Sequence, residues 1–167
     1  MKRPAAAPAP SPASVARVPI TLAMAGAQRQ LSAGLSYEMG IDSFFGASHA
    51  IRPDGPRHTH SFRVQVTLVS DALDEEGMMR GFRGVSNVLN EEIQQLANRF
   101  LNEIEPFDVI QATSENLAGF LFRKLREGLA GSNGSDSGVV ALTLWENPTT
   151  YVRVRAAHAW QPQAEDP

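Results

Sequence analysis

The 167-residue sequence contains no cysteine. That absence excludes a disulfide framework, a thiolate metal ligand, an iron–sulfur cluster and a cysteine nucleophile, so any bound metal must rest on His, Asp or Glu. Basic residues are not in excess either: 15 Lys and Arg stand against 18 Asp and Glu, a formal net charge of −3. Phosphate-backbone binding asks for the opposite balance, so nucleic acid is not an expected partner. No apolar run approaches the roughly 18 residues of a membrane-crossing helix, and no membrane partner is expected. Met1 to Pro19 begins with Lys2 and Arg3 but continues as an Ala/Pro/Ser tract without the apolar centre of a signal peptide. A cytoplasmic protein is the expectation.

What is present is an ordinary globular composition, 43% hydrophobic, at a length suited to one domain. Residues 1–35 read as a Pro/Ala-rich disordered tail and extension, 36–156 as the folded domain and 157–167 as a frayed C-terminus. Within the extension, Val18 to Gly34 is compatible with a strand, a short helix or an arm. Tyr37 to Ile51 suits a strand, and Arg52-Pro53-Asp54-Gly55-Pro56 a turn. His60 to Ser70 alternates, with Phe62, Val64, Val66 and Leu68 on one face, and predicts a second strand.

After a polar connection from Asp71 to Arg83 the period changes. Val85, Val88, Leu89, Ile93, Leu96 and Phe100 recur at three- and four-residue steps, the pattern of an amphipathic helix. A second helix is predicted to start at Thr113 or Ser114, either of which can cap it, with Glu115 in its first turn. Gly131 to Gly138 reads as a flexible loop, followed by strands at Val139 to Trp145 and Tyr151 to Arg155, with a turn over Glu146 to Thr150. Strand, strand, helix, helix, strand, strand predicts an α+β fold: a four-stranded antiparallel sheet with two helices on one face. So small a sheet leaves unpaired edges, and pairing between copies of the chain would cover them, so a homo-oligomer is expected.

Three of the four histidines, His49, His58 and His60, fall in a twelve-residue window. Strand residues two apart project to the same side about 7 Å from each other, so His58 and His60 can converge on one ion. His49, brought alongside by the turn, would be the third ligand. Three imidazoles leave one tetrahedral position open, the arrangement of a catalytic zinc site. The alternative is a surface pair and a satisfied core histidine; His158, alone near the C-terminus, reads as a surface residue.

From about Tyr37 to Arg155 the chain resembles the family of 6-pyruvoyltetrahydropterin and 6-carboxytetrahydropterin synthases. The resemblance is carried in order by Phe45-Gly-Ala-Ser-His49, His58-Thr-His60, Leu73-Asp-Glu-Glu-Gly-Met-Met79 with Phe82, Arg99-Phe-Leu-Asn102, Glu105-Pro106-Phe107, Thr113-Ser-Glu-Asn116 and Trp145-Glu146. It implies a tunnelling fold, in which subunits assemble into an oligomeric barrel, commonly a hexamer, with active sites at subunit interfaces. It also implies Zn2+ on His49, His58 and His60, and a pterin-like small-molecule substrate anchored by Glu146 through paired hydrogen bonds. Thr113 and Glu115 would line the same pocket, although both have sufficient explanations as helix-start residues.

The family's proton relay is absent. Its cysteine, four residues before the histidine pair, is replaced by Asp54, its Asp-His pair by Ala97 and Asn98, and a further aspartate by Gly81. A carboxylate at Asp54 can do acid–base work where partial burial raises its pKa, and Asn98 can donate to a developing oxyanion. Asp54 is equally a good turn residue before Gly55. The leading expectation is a zinc-dependent lyase or cyclase with diverged chemistry on a non-standard substrate, such as a secondary metabolite. The alternatives are a pterin-pathway lyase on dihydroneopterin triphosphate with Asp54 for cysteine, and a catalytically silent zinc-binding paralogue.

Overall fold

The structure is a computed structural model that describes residues 22–52, 54–74, 76–79, 82–130 and 138–156. The Pro-rich tail, most of the Gly/Ser loop before Val139, Gly81, His158 and the C-terminal segment expected to fray lie outside these residues. Helix α1 (Leu22–Ser32) resolves the open choice for the extension in favour of a helix. Strands β1 (Tyr37–His49) and β2 (His58–Ser70) form a long antiparallel hairpin in register from Tyr37 opposite Ser70 to His49 opposite His58. Helices α2 (Phe82–Leu96) and α3 (Ser114–Ala130) follow, then strands β3 (Val139–Asn147) and β4 (Thr150–Arg155). The sheet order is β1-β2-β3-β4, antiparallel throughout.

Alternation divides the sheet into two faces. Ile41, Phe45 and Ala47 of β1, Phe62 to Leu68 at even positions of β2, and Leu142 and Leu144 of β3 are buried on one of them. Val85, Leu89, Ile93 and Leu96 of α2 and Leu117, Leu121 and Leu125 of α3 join them in one core, so both helices lie on this face. Gly128 lets the helices approach: a Cβ there would stand 2.8 Å from Val88 Cγ1. The opposite face carries a cross-strand row of Phe44, Arg63, Trp145 and Tyr151, with the Arg63 guanidinium 4.4 Å from the Trp145 ring.

Several expected boundaries move, among them the end of β1, at His49 rather than Ile51, and the start of β4, at Thr150 rather than Tyr151. The periodicity that placed Phe100 on the first helix overran, because α2 stops at Leu96 and Asn98 takes a left-handed turn at φ 61°. Asparagine tolerates that conformation and commonly ends helices. The chain then runs beside the end of β1: Asn98 N–H donates to the Gly46 carbonyl at 2.6 Å and Ser48 N–H to the Arg99 carbonyl at 3.0 Å. Phe100 therefore bridges to Ser48 and takes the Arg57 guanidinium over its ring. The second strand begins at His58 rather than His60. Glu146, expected in the turn, belongs to β3; the turn is made by Asn147, whose Oδ1 accepts from the backbone N–H groups of Thr149 and Thr150. Extending the strand through Glu146 gives that side chain a fixed direction.

Candidate metal centre and adjoining clefts

His49, His58, His60 and Glu146 occupy the helix-side face of the sheet, beyond the end of its apolar stripe. Phe62, fully buried and stacked on Phe45 at 5.2 Å between ring centres, forms the floor. One row further along β2 comes His60, then His58; along β3, Leu144 is followed by Glu146. The three imidazole centres form a triangle with sides of 5.1, 6.1 and 6.2 Å. Ligand atoms of His49, His60 and Glu146 all lie within 4.8 Å of one another. Glu146 Oε1 is 3.0 Å from His60 Nε2 and 3.4 Å from His49 Nε2. His58 stands beside this group rather than inside it.

Two positions around the site are set by Ala112 and Asn102, neither of which the sequence marks with this role. His49 is 2% exposed, and its Nδ1 lies 2.5 Å from the carbonyl oxygen of Ala112. A carbonyl only accepts, so Nδ1 carries the hydrogen and the ring turns Nε2 into the cluster. That Nε2 is buried without a hydrogen-bond partner among the described residues. Asn102 clamps the next residue from both sides, accepting from Ala50 N–H at 2.8 Å and donating to the Ala50 carbonyl at 2.9 Å. It thereby fixes where β1 ends and His49 points.

The paired hydroxyls at the start of α3 divide two tasks. Thr113 Oγ1 accepts from Asn116 N–H and caps the helix. Ser114 is thus free to donate its Oγ hydrogen to Glu146 Oε2 at 2.7 Å, at a helix N-terminus that itself favours a carboxylate. Ser114 was legible as a helix-start residue only; the clue to a second role is that one cap needs one hydroxyl.

Two clefts flank the cluster, with Ile51 lining both. Thr113, Ser114, Glu115, Glu146 and Tyr151 line one of about 340 Å³. Arg52, Asp54, Gly55, His58 and Gln111 line the other, of about 730 Å³. The structure therefore brings Thr113 and Glu115 to Glu146, and Asp54 to the His58 side, where its carboxylate is exposed. Asn98 is not brought in within one chain. It is exposed against the outer edge of β1 at Gly46, and its conformation there is that of a helix-ending residue.

The donor set suits a divalent metal: a buried imidazole nitrogen whose ring is held through Ala112, two further imidazoles and a carboxylate held by its second oxygen on Ser114. The 6-pyruvoyl tetrahydropterin synthase family matches residues 38–157, which is most of the chain. The chain belongs to the 6-pyruvoyl tetrahydropterin synthase family. It is 32% identical over 92 residues to a candidate 6-carboxy-5,6,7,8-tetrahydropterin synthase of Archaeoglobus fulgidus, covering 53% of this chain and 76% of the relative. To the 6-carboxy-5,6,7,8-tetrahydropterin synthase of Aquifex aeolicus it is 31% identical over 114 residues, covering 56% and 70%. Its fold matches the 6-pyruvoyl tetrahydropterin synthase of Caenorhabditis elegans with a TM-score of 0.65 at 18% identity, over 74% of this chain and 97% of that one. The α+β tunnelling-fold subunit expected from the sequence is thus the fold of this 6-pyruvoyl tetrahydropterin synthase family member. Among the described residues no helix is long and apolar enough to cross a membrane.

Proposed function

We propose that this protein is a zinc-dependent enzyme of the lyase or cyclase type that has kept the family's metal site and pocket while changing its acid–base chemistry. The observation that carries the reading is His49 Nε2: a buried imidazole nitrogen, its ring fixed by Ala112, facing Glu146 with no hydrogen-bond partner among the described residues. His49, His58 and His60 would hold the ion. When bound, zinc supplies Lewis acidity to a carbonyl or hydroxyl of the substrate.

The protein's own residues supply the rest. Glu146, oriented by Ser114, offers a carboxylate oxygen to a ring bearing an amidine, guanidine or amine edge, with Thr113 and Glu115 in the cleft wall. Asp54 is the acid–base candidate on the opposite side, beside His58. It is exposed in the single chain, so the burial that such work asks of it falls to a bound substrate or a neighbouring subunit. Asn98 can act as an oxyanion donor only toward a neighbouring subunit's site, because it lies apart from its own. The substrate is a small molecule of this donor pattern, outside the ordinary pterin reaction because the relay cysteine is absent.

A second reading keeps the pterin substrate itself, and the curated relatives named as 6-carboxytetrahydropterin synthases favour it. Metal analysis and turnover separate the two. The expected result is one zinc per chain, lost in His58→Ala, with no product from dihydroneopterin triphosphate. Turnover of that compound, abolished in Asp54→Asn, selects the pterin reading. Purified protein without zinc, and a His58→Ala variant identical to wild type in every assay, would overturn both enzyme readings.

A further inference from the structure

We infer that Glu146 is itself a ligand of the metal in the resting protein, and that a substrate must draw it away. The inference rests on the metal-site reading above and goes beyond it by giving one carboxylate two competing partners. The first support is spacing. Donor atoms around one tetrahedral zinc, each at 2.0–2.1 Å, lie about 3.3 Å from one another. Glu146 Oε1 lies 3.0 and 3.4 Å from the two Nε2 atoms, at the spacing that co-ligands adopt.

The second support is an unmet partner. With Nδ1 engaged by the Ala112 carbonyl, the buried Nε2 of His49 faces the Glu146 carboxylate and has no hydrogen-bond partner among the described residues. A cation shared between that nitrogen and the carboxylate oxygen would serve both. With no competing ligand the Glu146 carboxylate stays on the cluster, because Ser114 holds its other oxygen at 2.7 Å.

The same carboxylate faces the 340 Å³ cleft. A planar ring entering there with two adjacent N–H donors would compete with the ion for Glu146, leaving the histidines to hold the metal. Metal and donor edge are therefore negatively coupled through one side chain, and the coupling is reciprocal. The ligand class this selects is a ring with an amidine-like edge, and its binding uncovers the metal only when that edge is present.

The test is titration of metal-free protein with Co2+ and Zn2+, using Glu146→Gln, Glu146→Asp and Ser114→Ala, with far-UV circular dichroism and thermal unfolding of each metal-free variant as the folding control. Wild type is expected to bind Co2+ with the intense visible absorption of a four-coordinate site. Glu146→Gln should weaken binding by about a hundredfold and Ser114→Ala, which keeps the carboxylate but frees it, by about tenfold. Glu146→Asp keeps the charge but shortens the reach, and should also lose affinity. Free pterin, used as the amidine-edge probe, should change the Co2+ spectrum of wild type and leave that of Glu146→Gln unchanged. Should Glu146→Gln fail to fold, Ser114→Ala and Glu146→Asp decide. Wild-type affinity and spectrum in the Glu146 variants would overturn the inference while leaving a three-histidine site standing. Failure of wild type to bind either metal would instead remove the metal-site reading, and the inference with it.

Discussion

Asn102 shows how a site is held by a residue that does not enter it. Its amide makes both available backbone hydrogen bonds to Ala50, one residue beyond His49, across 52 positions of sequence. Replacing it by Ala leaves a buried N–H and a carbonyl without their partners, at a cost of about 1–3 kcal/mol. The same change releases the end of β1, so Asn102→Ala is expected to lower metal affinity by roughly tenfold, as loss of an outer-shell partner does. Chemical denaturation and metal competition measure the two effects separately. Normal affinity in a destabilised variant would show that the clamp serves the fold alone. Asn102 was legible as part of a family-like Leu-Asn pair, but its role was not, because the partner is backbone and backbone proximity is not written in side-chain spacing.

At the scale of an element, α3 joins the site to the core and tolerates change unevenly. Gly119 and Gly128 lie on the same helix, yet a Cβ at Gly119 meets nothing within 4 Å whereas one at Gly128 meets Val88 Cγ1 at 2.8 Å. Gly119→Ala should therefore stabilise by about 0.5–1 kcal/mol through helix propensity. Gly128→Ala has the same propensity gain but must displace a stiff β-branched side chain, and overpacking of about 1–3 kcal/mol is expected to outweigh it. Opposite signs in urea denaturation check the prediction; equal stabilisation would mean that α2 and α3 separate at little cost. Both helices were visible from their periodicity. The end of α2 was not, because Phe100 continues the apolar spacing, while the turn that removes it from the helix is made by Asn98 and by the pairing of residues 98–100 with β1.

On the scale of the whole molecule, the sheet ends in two edges, β1 and β4. The contacts of Gly46 and Ser48 with the segment after α2 show that even-numbered residues of β1 direct their backbone groups outward, so Glu38, Gly40, Asp42 and Phe44 present the open part of that edge. Pairing of this edge with β4 of another copy would cover both and build the expected barrel. Glu38→Pro removes an outward N–H without touching the β1–β2 ladder, a substitution that edge strands accept. It is expected to shift the protein to smaller species in sedimentation velocity while preserving the circular dichroism of the subunit. An unchanged assembly would place the contacts elsewhere. Metal belongs to this scale too: an ion that binds only the folded state adds stability in proportion to its saturation, about 2.7 kcal/mol at a hundred times its Kd, and chelation should lower the melting temperature accordingly.

The element order, the two-faced sheet and the helix-side core were legible in the sequence, because those follow from local periods of 2 and 3.6 residues. The absence of cysteine was legible at the same level, since no fold supplies a thiol that the sequence lacks. What the sequence left open were the direction of Glu146 onto His49 and His60, the assignment of Thr113 to the helix cap and Ser114 to the carboxylate, and the hydrogen bond by which Ala112 orients the His49 ring, all set by tertiary contacts. Each of these depends on contacts between groups 32 or more residues apart, or on which of two adjacent hydroxyls the backbone consumes. Two residues more of strand before the last turn, Glu146 and Asn147, put Glu146 on the same face as Leu144 and so aim the carboxylate at the histidines, because along a strand each step reverses the face to which a side chain points.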